Sequence, residues 1–184
     1  MQKANRKDGV TVFKESFKEF YSTRNLVTMS MLCAVNVVTS WFSIPLSDTL
    51  KITFSFLTMS MIGYLYGPTC GIICGFVLDN VKFFIKPSGA YTPLFTIVEM
   101  SAGLLYGLLL YKKDVTLVRC FVTKFTVSLI CNILLTPWFL DILYGKGFIY
   151  YASSRILKNL ILWPIESILM YILLSRVAKP MRKA

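Results

Sequence analysis

The chain has 184 residues, of which 55% are hydrophobic and 16% charged, with a mean hydropathy of +0.62. That balance is too apolar for a soluble domain of this size and leaves no room for a soluble enzyme domain. The net charge of +11 would suggest nucleic acid in a soluble protein, and the absence of histidine removes the commonest general base and metal ligand.

Residues 9–21, "GVTVFKESFKEFY", place Val10, Phe13, Phe17, Phe20 and Tyr21 at helical spacing with Lys14, Lys18 and Glu19 between them. An amphipathic helix on the inner membrane surface is expected. Six apolar runs follow, at about 25–44, 50–66, 69–86, 94–111, 117–139 and 150–175. Each is long enough to cross roughly 30 Å of hydrocarbon. They are continuous rather than alternating with period two, which argues against an outer-membrane barrel. The expected fold class is therefore all-α integral membrane, with six transmembrane helices. The expected organisation is an amphipathic segment over 1–24, a six-helix domain over 25–178 and a basic tail over 179–184.

Three loops on one side carry proline, glycine, aromatics and charge: "FSIPLSDTLK", "KPSGAYTP" and "LDILYGKGFIYY". The other side is thinner, with the uncharged turn "YGP", the short loop "YKKD" and the two tails. Lysine and arginine concentrate in those tails and in Lys112 and Lys113, so both termini are expected in the cytoplasm. Lys124 lies inside the fifth run and is expected to snorkel towards that end. All five cysteines fall in or beside apolar runs, as packing residues do.

Ionisable groups inside the apolar runs are costly and usually face a bundle interior or a cavity. In "CGFVLDNVKFFIKP", residues 74–87, Gly75, Asp79, Lys82 and Lys86 follow at spacings of 4, 3 and 4 and share a helix face. Glu99 in the fourth run, Asn132 and Trp138 in the fifth, and Arg155 and Lys158 in the last lie in the same outer half. Self-neutralising ion pairs, such as Asp79 with Lys82, are one reading. A small-molecule pocket open to the outside, walled by aromatics that include Tyr91 and Phe95, is the other. Its ligand would have a fused ring with adjacent N–H donors for a carboxylate, a flat middle and an anionic end for the cations. Glu166, just after Pro164, has the option of a basic partner across the bundle.

The stretches "SIPLSDTLKITFSFLTMSMIGYLYGPTCGIICGFVLDNVKFF", "GAYTPLFTIVEMSAGLLYGLLL" and "NILLTPWFLDILYGKGFIYYASSRILKNLILWPIE" resemble the folate-family substrate-binding (S) components of energy-coupling factor (ECF) transporters, the FolT type, over roughly residues 25–175. The resemblance implies a six-helix S-component fold and an outward-facing vitamin pocket with no cofactor. It also implies docking to a membrane coupling subunit and two cytoplasmic ATPases in a bacterial cell membrane. Folate, or a reduced folate, matches the ligand described above. Asp79 is then the candidate for the pterin edge, with Arg155, Lys158 and Lys82 for the glutamate tail. Two loops would gate the pocket, one with Pro45 and Leu46, the other with Pro87, Gly89 and Pro93. The small-x-x-x-small pair Ser30 and Ala34 would be the docking patch. No G-x-x-x-x-G-K-[ST] phosphate loop occurs, so the chain is expected to be no enzyme, with ATP hydrolysed by partners. Other vitamins, a lipid head-group enzyme and a structural or channel subunit are the competing readings.

Overall fold

In the computed structural model the described residues are 9–42, 44–47, 50–52, 54–85, 92–145 and 147–183, with the backbone alone at 9, 44–47, 50–52, 154, 157, 158, 182 and 183. The chain begins with α1 (Gly9–Phe20) and α2 (Thr23–Trp41). A short antiparallel hairpin follows, β1 (Ile44–Ser47) with β2 (Leu50–Ile52), in the register Ile44↔Ile52, Pro45↔Lys51 and Ser47↔Leu50. The helical run α3 (Ser55–Ile85) and α4 (Pro93–Leu110) come next. Helix α5 (Leu117–Val127) continues through the π-segment Ser128–Leu135 into α6 (Thr136–Tyr144). Helix α7 (Phe148–Leu173) passes through a second π-segment, Leu174–Ala178, into the short α8 (Lys179–Lys183). Among the described residues, four helical stretches are long and apolar enough to cross a membrane: Ser55–Ile85, Pro93–Leu110, Leu117–Tyr144 and Asn159–Met181.

Helix α3 is interrupted at Gly67, whose φ of 87° and ψ of −170° are not helical, and Pro68 follows it. Only glycine takes this backbone without strain, and proline suits the first turn of a new helix. The contacts show that the chain turns back here. A Cβ added to Gly103 would touch both Met59, before the turn, and Gly71, after it. One added to Gly107 would touch Gly67 and Pro68, while one on Gly63 would lie 2.8 Å from the Gly107 nitrogen. The arms 55–66 and 68–85 therefore lie side by side, and α4 packs along both. This is the uncharged turn expected at "YGP". The second apolar run differs from expectation at its start, because residues 50–52 are spent on the hairpin.

Glycine is what permits that packing. Gly63, Gly71 and Gly75 on the arms face Gly107, Gly103 and the Glu99 backbone on α4, and a Cβ on Gly75 would come within 2.6 Å of the Glu99 carbonyl oxygen. Backbones without side chains approach closely enough to gain dispersion contact along their whole length, which drives helix association in lipid. Ile62, Cys70, Leu78, Tyr106 and Leu110 fill the core beside this seam, and each is at most 1% exposed.

Helix α1 lies across the turn that joins the two arms and is pinned there by one hydroxyl. Ser16 Oγ donates to the carbonyl of Tyr66 at 2.6 Å and accepts from the N–H groups of Thr69 at 3.0 Å and Cys70 at 3.3 Å. The carbonyl belongs to the end of the first arm and the N–H groups to the start of the second, positions whose backbone groups lack helical partners. Ser16 thus caps both sides of the turn from a distant segment.

The first π-segment follows from Pro137. A proline ring clashes with the carbonyl four residues back, and the helix widens upstream to avoid it. The Thr136 N–H and hydroxyl both donate to the Cys131 carbonyl, the latter at 2.6 Å. Against the expectation that Lys124 snorkels, it is buried. Its ammonium lies 3.1 Å from the Glu166 carboxylate and 3.9 Å from the centre of the Phe56 ring. An opposite charge and a π-face together hold a cation away from water.

Candidate functional site

The second arm, α4 and the α5–α7 pair bring polar side chains together in the half of the bundle opposite α1. Asp79 lies six residues before the end of the second arm at Ile85, or about 9 Å inward at 1.5 Å per residue. Its Oδ2 accepts a hydrogen bond from the Thr96 hydroxyl of α4 at 2.6 Å. Lys82 donates to Glu99 Oε1 at 3.3 Å. In place of the Asp79–Lys82 ion pair that was one reading of the sequence, Lys82 pairs with Glu99. Side chains on a helix lean towards its N-terminus, so on antiparallel neighbours Lys82 and Glu99 reach towards one another along the axis. Lys82 and Glu99 keep 20% and 34% side-chain exposure, so the pair borders open space rather than a closed core.

The second polar group spans the π-segment and α7. Asn132 Nδ2 donates to Asn159 Oδ1 at 3.4 Å, and Asn159 Nδ2 donates to the Arg155 carbonyl at 2.9 Å. Arg155 is partly buried, one turn before Asn159. Helix α4 also packs against the π-segment that carries Asn132. Phe95 is partly buried in the first turn of α4, behind the exposed Pro93.

Other expected residues stand elsewhere. Trp138 is 57% exposed and stacks on Phe139 with ring centres 5.9 Å apart, as an outward-facing belt residue does. Tyr91, Pro87 and Gly89 lie outside the described residues, as does the Lys158 side chain. The loop with Pro45 and Leu46 is the β1–β2 hairpin. Thr96 and Asn159 were not among the sequence candidates. Thr96 precedes Glu99 by three and Asn159 follows Arg155 by four, so the helical face of a known candidate was the signal. Among the described residues no group of three or more Cys, Asp or Glu side chains is placed to hold a metal.

A groove of about 350 Å³ lies elsewhere, between α2 and the second arm. Ser30, Cys33, Ala34 and Val37 line one wall, and Ile73, Val77 and Val81 the other. It is apolar and suits a helix or an acyl chain, whereas the polar cluster suits a charged small molecule. Ser30 and Ala34 are both exposed on its rim.

A family model described as "ECF transporter, substrate-specific component" matches residues 24–174. The chain is 33% identical to the folate transporter FolT of Leuconostoc mesenteroides subsp. mesenteroides, over 83% of this chain and 85% of that protein. It is 27% identical to FolT of Clostridium novyi, over 79% of this chain and 85% of that protein. Among solved structures, a crystal structure of FolT bound with folic acid superposes with a TM-score of 0.76 at 35% identity, covering 83% of this chain and 93% of that one. The S component of a bacterial ECF transporter shares the fold, with a TM-score of 0.61 at 24% identity over 85% of this chain and 96% of that one. A polar cluster embedded between apolar helices, in a chain matched over most of its length, identifies this multi-pass membrane protein as a member of the substrate-specific components of ECF transporters.

Proposed function

We propose that this chain captures folate at the outer face of a bacterial cell membrane, as the substrate-specific subunit of an ATP-driven ECF transporter. The observation that carries the reading is the likeness to folic-acid-bound FolT across most of the chain, together with two carboxylates and a lysine held between the second arm and α4. Six crossings follow if α2, the two arms of α3, α4, α5–α6 and α7 each count as one. Both termini then lie in the cytoplasm, where the basic tails are favoured.

In this reading Asp79 accepts the paired N–H donors of the pterin edge, a charge-assisted arrangement. Each carboxylate oxygen has two lone pairs, so the bond from Thr96 orients Asp79 without exhausting it. Lys82, Arg155 and Lys158 serve the glutamate tail, and Glu99 holds Lys82 in place. Asn132 and the aromatics Tyr91 and Phe95 complete the wall, while Trp138 stays at the lipid boundary. The β1–β2 hairpin with Pro45 and Leu46, and the loop with Pro87, Gly89 and Pro93, close over the ligand. Having no phosphate loop of its own, the chain relies on a membrane coupling subunit, met at Ser30 and Ala34, and on two cytoplasmic ATPases.

Two measurements test this. Calorimetric titration of the purified chain alone is expected to give saturable folate binding at one site per chain; no binding would overturn the ligand. In liposomes containing the complete transporter, Ala34→Trp is expected to leave folate binding intact and abolish uptake. Full uptake by that variant would remove the docking assignment.

A further inference from the structure

Helix α1 has three chemically distinct sides. Its protein side carries the buried Ser16, and both of its acids find partners nearby: Glu15 pairs with Lys112 at 2.8 Å, and Glu19 accepts from Asn25 at 2.7 Å and Tyr111 at 3.4 Å. The opposite side is a stripe of Val10, Phe13, Phe17 and Tyr21, which are 66%, 37%, 46% and 76% exposed. The Phe17 and Tyr21 rings meet edge to face, with centres 5.3 Å apart.

The third side is a row of two cations. Lys14 and Lys18 are four residues apart and exposed, and among the described residues neither has an acidic partner. At 100° per residue this row falls directly beside the apolar stripe, while Glu15 and Glu19 fall beyond it. All of the helix's negative charge is therefore drawn inward, and its outward face is purely apolar and positive. Helix α1 belongs to a bundle with, among the described residues, four membrane-length stretches, so lipid is the medium at its outward face.

We propose that the outward face of α1 is a binding surface for anionic phospholipid. Val10, Phe13, Phe17 and Tyr21 sit in the acyl boundary, and Lys14 and Lys18 reach the headgroup phosphates by snorkelling. A zwitterionic lipid would satisfy the stripe but not the cations, so the surface discriminates by charge. Because Ser16 ties α1 to the turn at Gly67, the bound lipid would fix the inner end of the bundle at the membrane surface. The site is independent of the ligand proposed above.

The test uses the full chain in phosphatidylcholine liposomes doped with a trace of diazirine-bearing lipid, either phosphatidylglycerol or phosphatidylcholine. After illumination, labelling of the peptide spanning residues 9–24 is read by mass spectrometry. Near-surface attraction of this kind amounts to roughly a five-fold preference for the anionic lipid per lysine. The expected result is a preference of at least that size at low ionic strength, reduced towards parity in high salt and in Lys14→Gln/Lys18→Gln. Folate binding by the double variant serves as the folding control and is expected to be unchanged. Equal labelling by the two lipids would overturn the proposal, as would labelling by neither, which would mean that something other than lipid covers the face. A preference that survives in the double variant would overturn the role of these lysines.

Discussion

Two lysine–glutamate pairs bridge helices inside the bundle, and their surroundings differ. Lys124 and Glu166 are 3.1 Å apart with side-chain exposures of 5% and 14%, and the Phe56 ring closes over the ammonium. Lys82 and Glu99 are 3.3 Å apart with exposures of 20% and 34%, beside the Asp79–Thr96 hydrogen bond. The first pair, between the last turn of α5 and the second half of α7, is sealed and can only serve the fold. The second borders open space in the opposite half from α1, and its groups can exchange partners. A membrane protein that must both stay assembled and bind a charged solute needs both kinds. In the proposed reading the first pair holds the structure and the second lies in the half that meets the ligand.

The contrast is sharpened most by removing one lysine at a time. Lys124→Met strands Glu166 without its partner, a loss of about 3–5 kcal/mol for a buried pair. The expected readout is a large drop in the thermal unfolding temperature of the purified protein, largely recovered in Lys124→Met/Glu166→Leu. Lys82→Met is expected to cost about 1 kcal/mol or less in the same assay, since its pair is partly solvated. Equal destabilisation by the two single variants would erase the distinction.

Asp79→Asn probes the open half by ligand rather than by heat. The Thr96 hydroxyl can still donate to the amide oxygen, so the fold is expected to hold. The amide presents a donor where the pterin edge needs an acceptor, which costs about 2–4 kcal/mol, or roughly 30- to 1000-fold in affinity. Titration calorimetry is expected to show that loss for folate and for a pterin fragment, and little change for p-aminobenzoyl-glutamate. A uniform loss across the three ligands would move Asp79 out of the pterin site.

The smallest effect belongs to the turn between the arms. Ser16→Ala removes the hydroxyl that caps both arms at Gly67, and a lost cap costs about 1–2 kcal/mol. A modest fall in unfolding temperature, with folate affinity unchanged, is expected. A loss of affinity would mean that the two halves are coupled through the arms.

The sequence carried the parts of this architecture that depend on one helix at a time. The apolar runs at 94–111 and 117–139, the turn at "YGP" and the shared face of Gly75, Asp79 and Lys82 all follow from spacing along the chain. What it could not carry were partners across helices. A helical wheel places Lys82 on a face but does not choose between Asp79 on its own helix and Glu99 on the next. Lys124 reads as a residue near a helix end, and only the positions of Glu166 and Phe56 make it a buried one. Ser16 is an unremarked serine in an amphipathic segment until the turn fifty residues later is folded against it. The hairpin at residues 44–52 was hidden inside what reads as loop and span, because Leu50, Lys51 and Ile52 suit either.

The seam of glycines between α3 and α4 bears on how the chain is made. Both partners of that seam lie between Gly63 and Gly107, so the most intimate contact in the protein joins segments that are near neighbours along the chain. Loops this short close at little entropic cost, and contacts of low sequence separation form early. A nascent chain that has released residues up to about 110 into the bilayer therefore already holds the means to zip this pair together. The later helices would then be laid onto a finished wall, with Lys124 and Glu166 meeting only after the last of them has arrived.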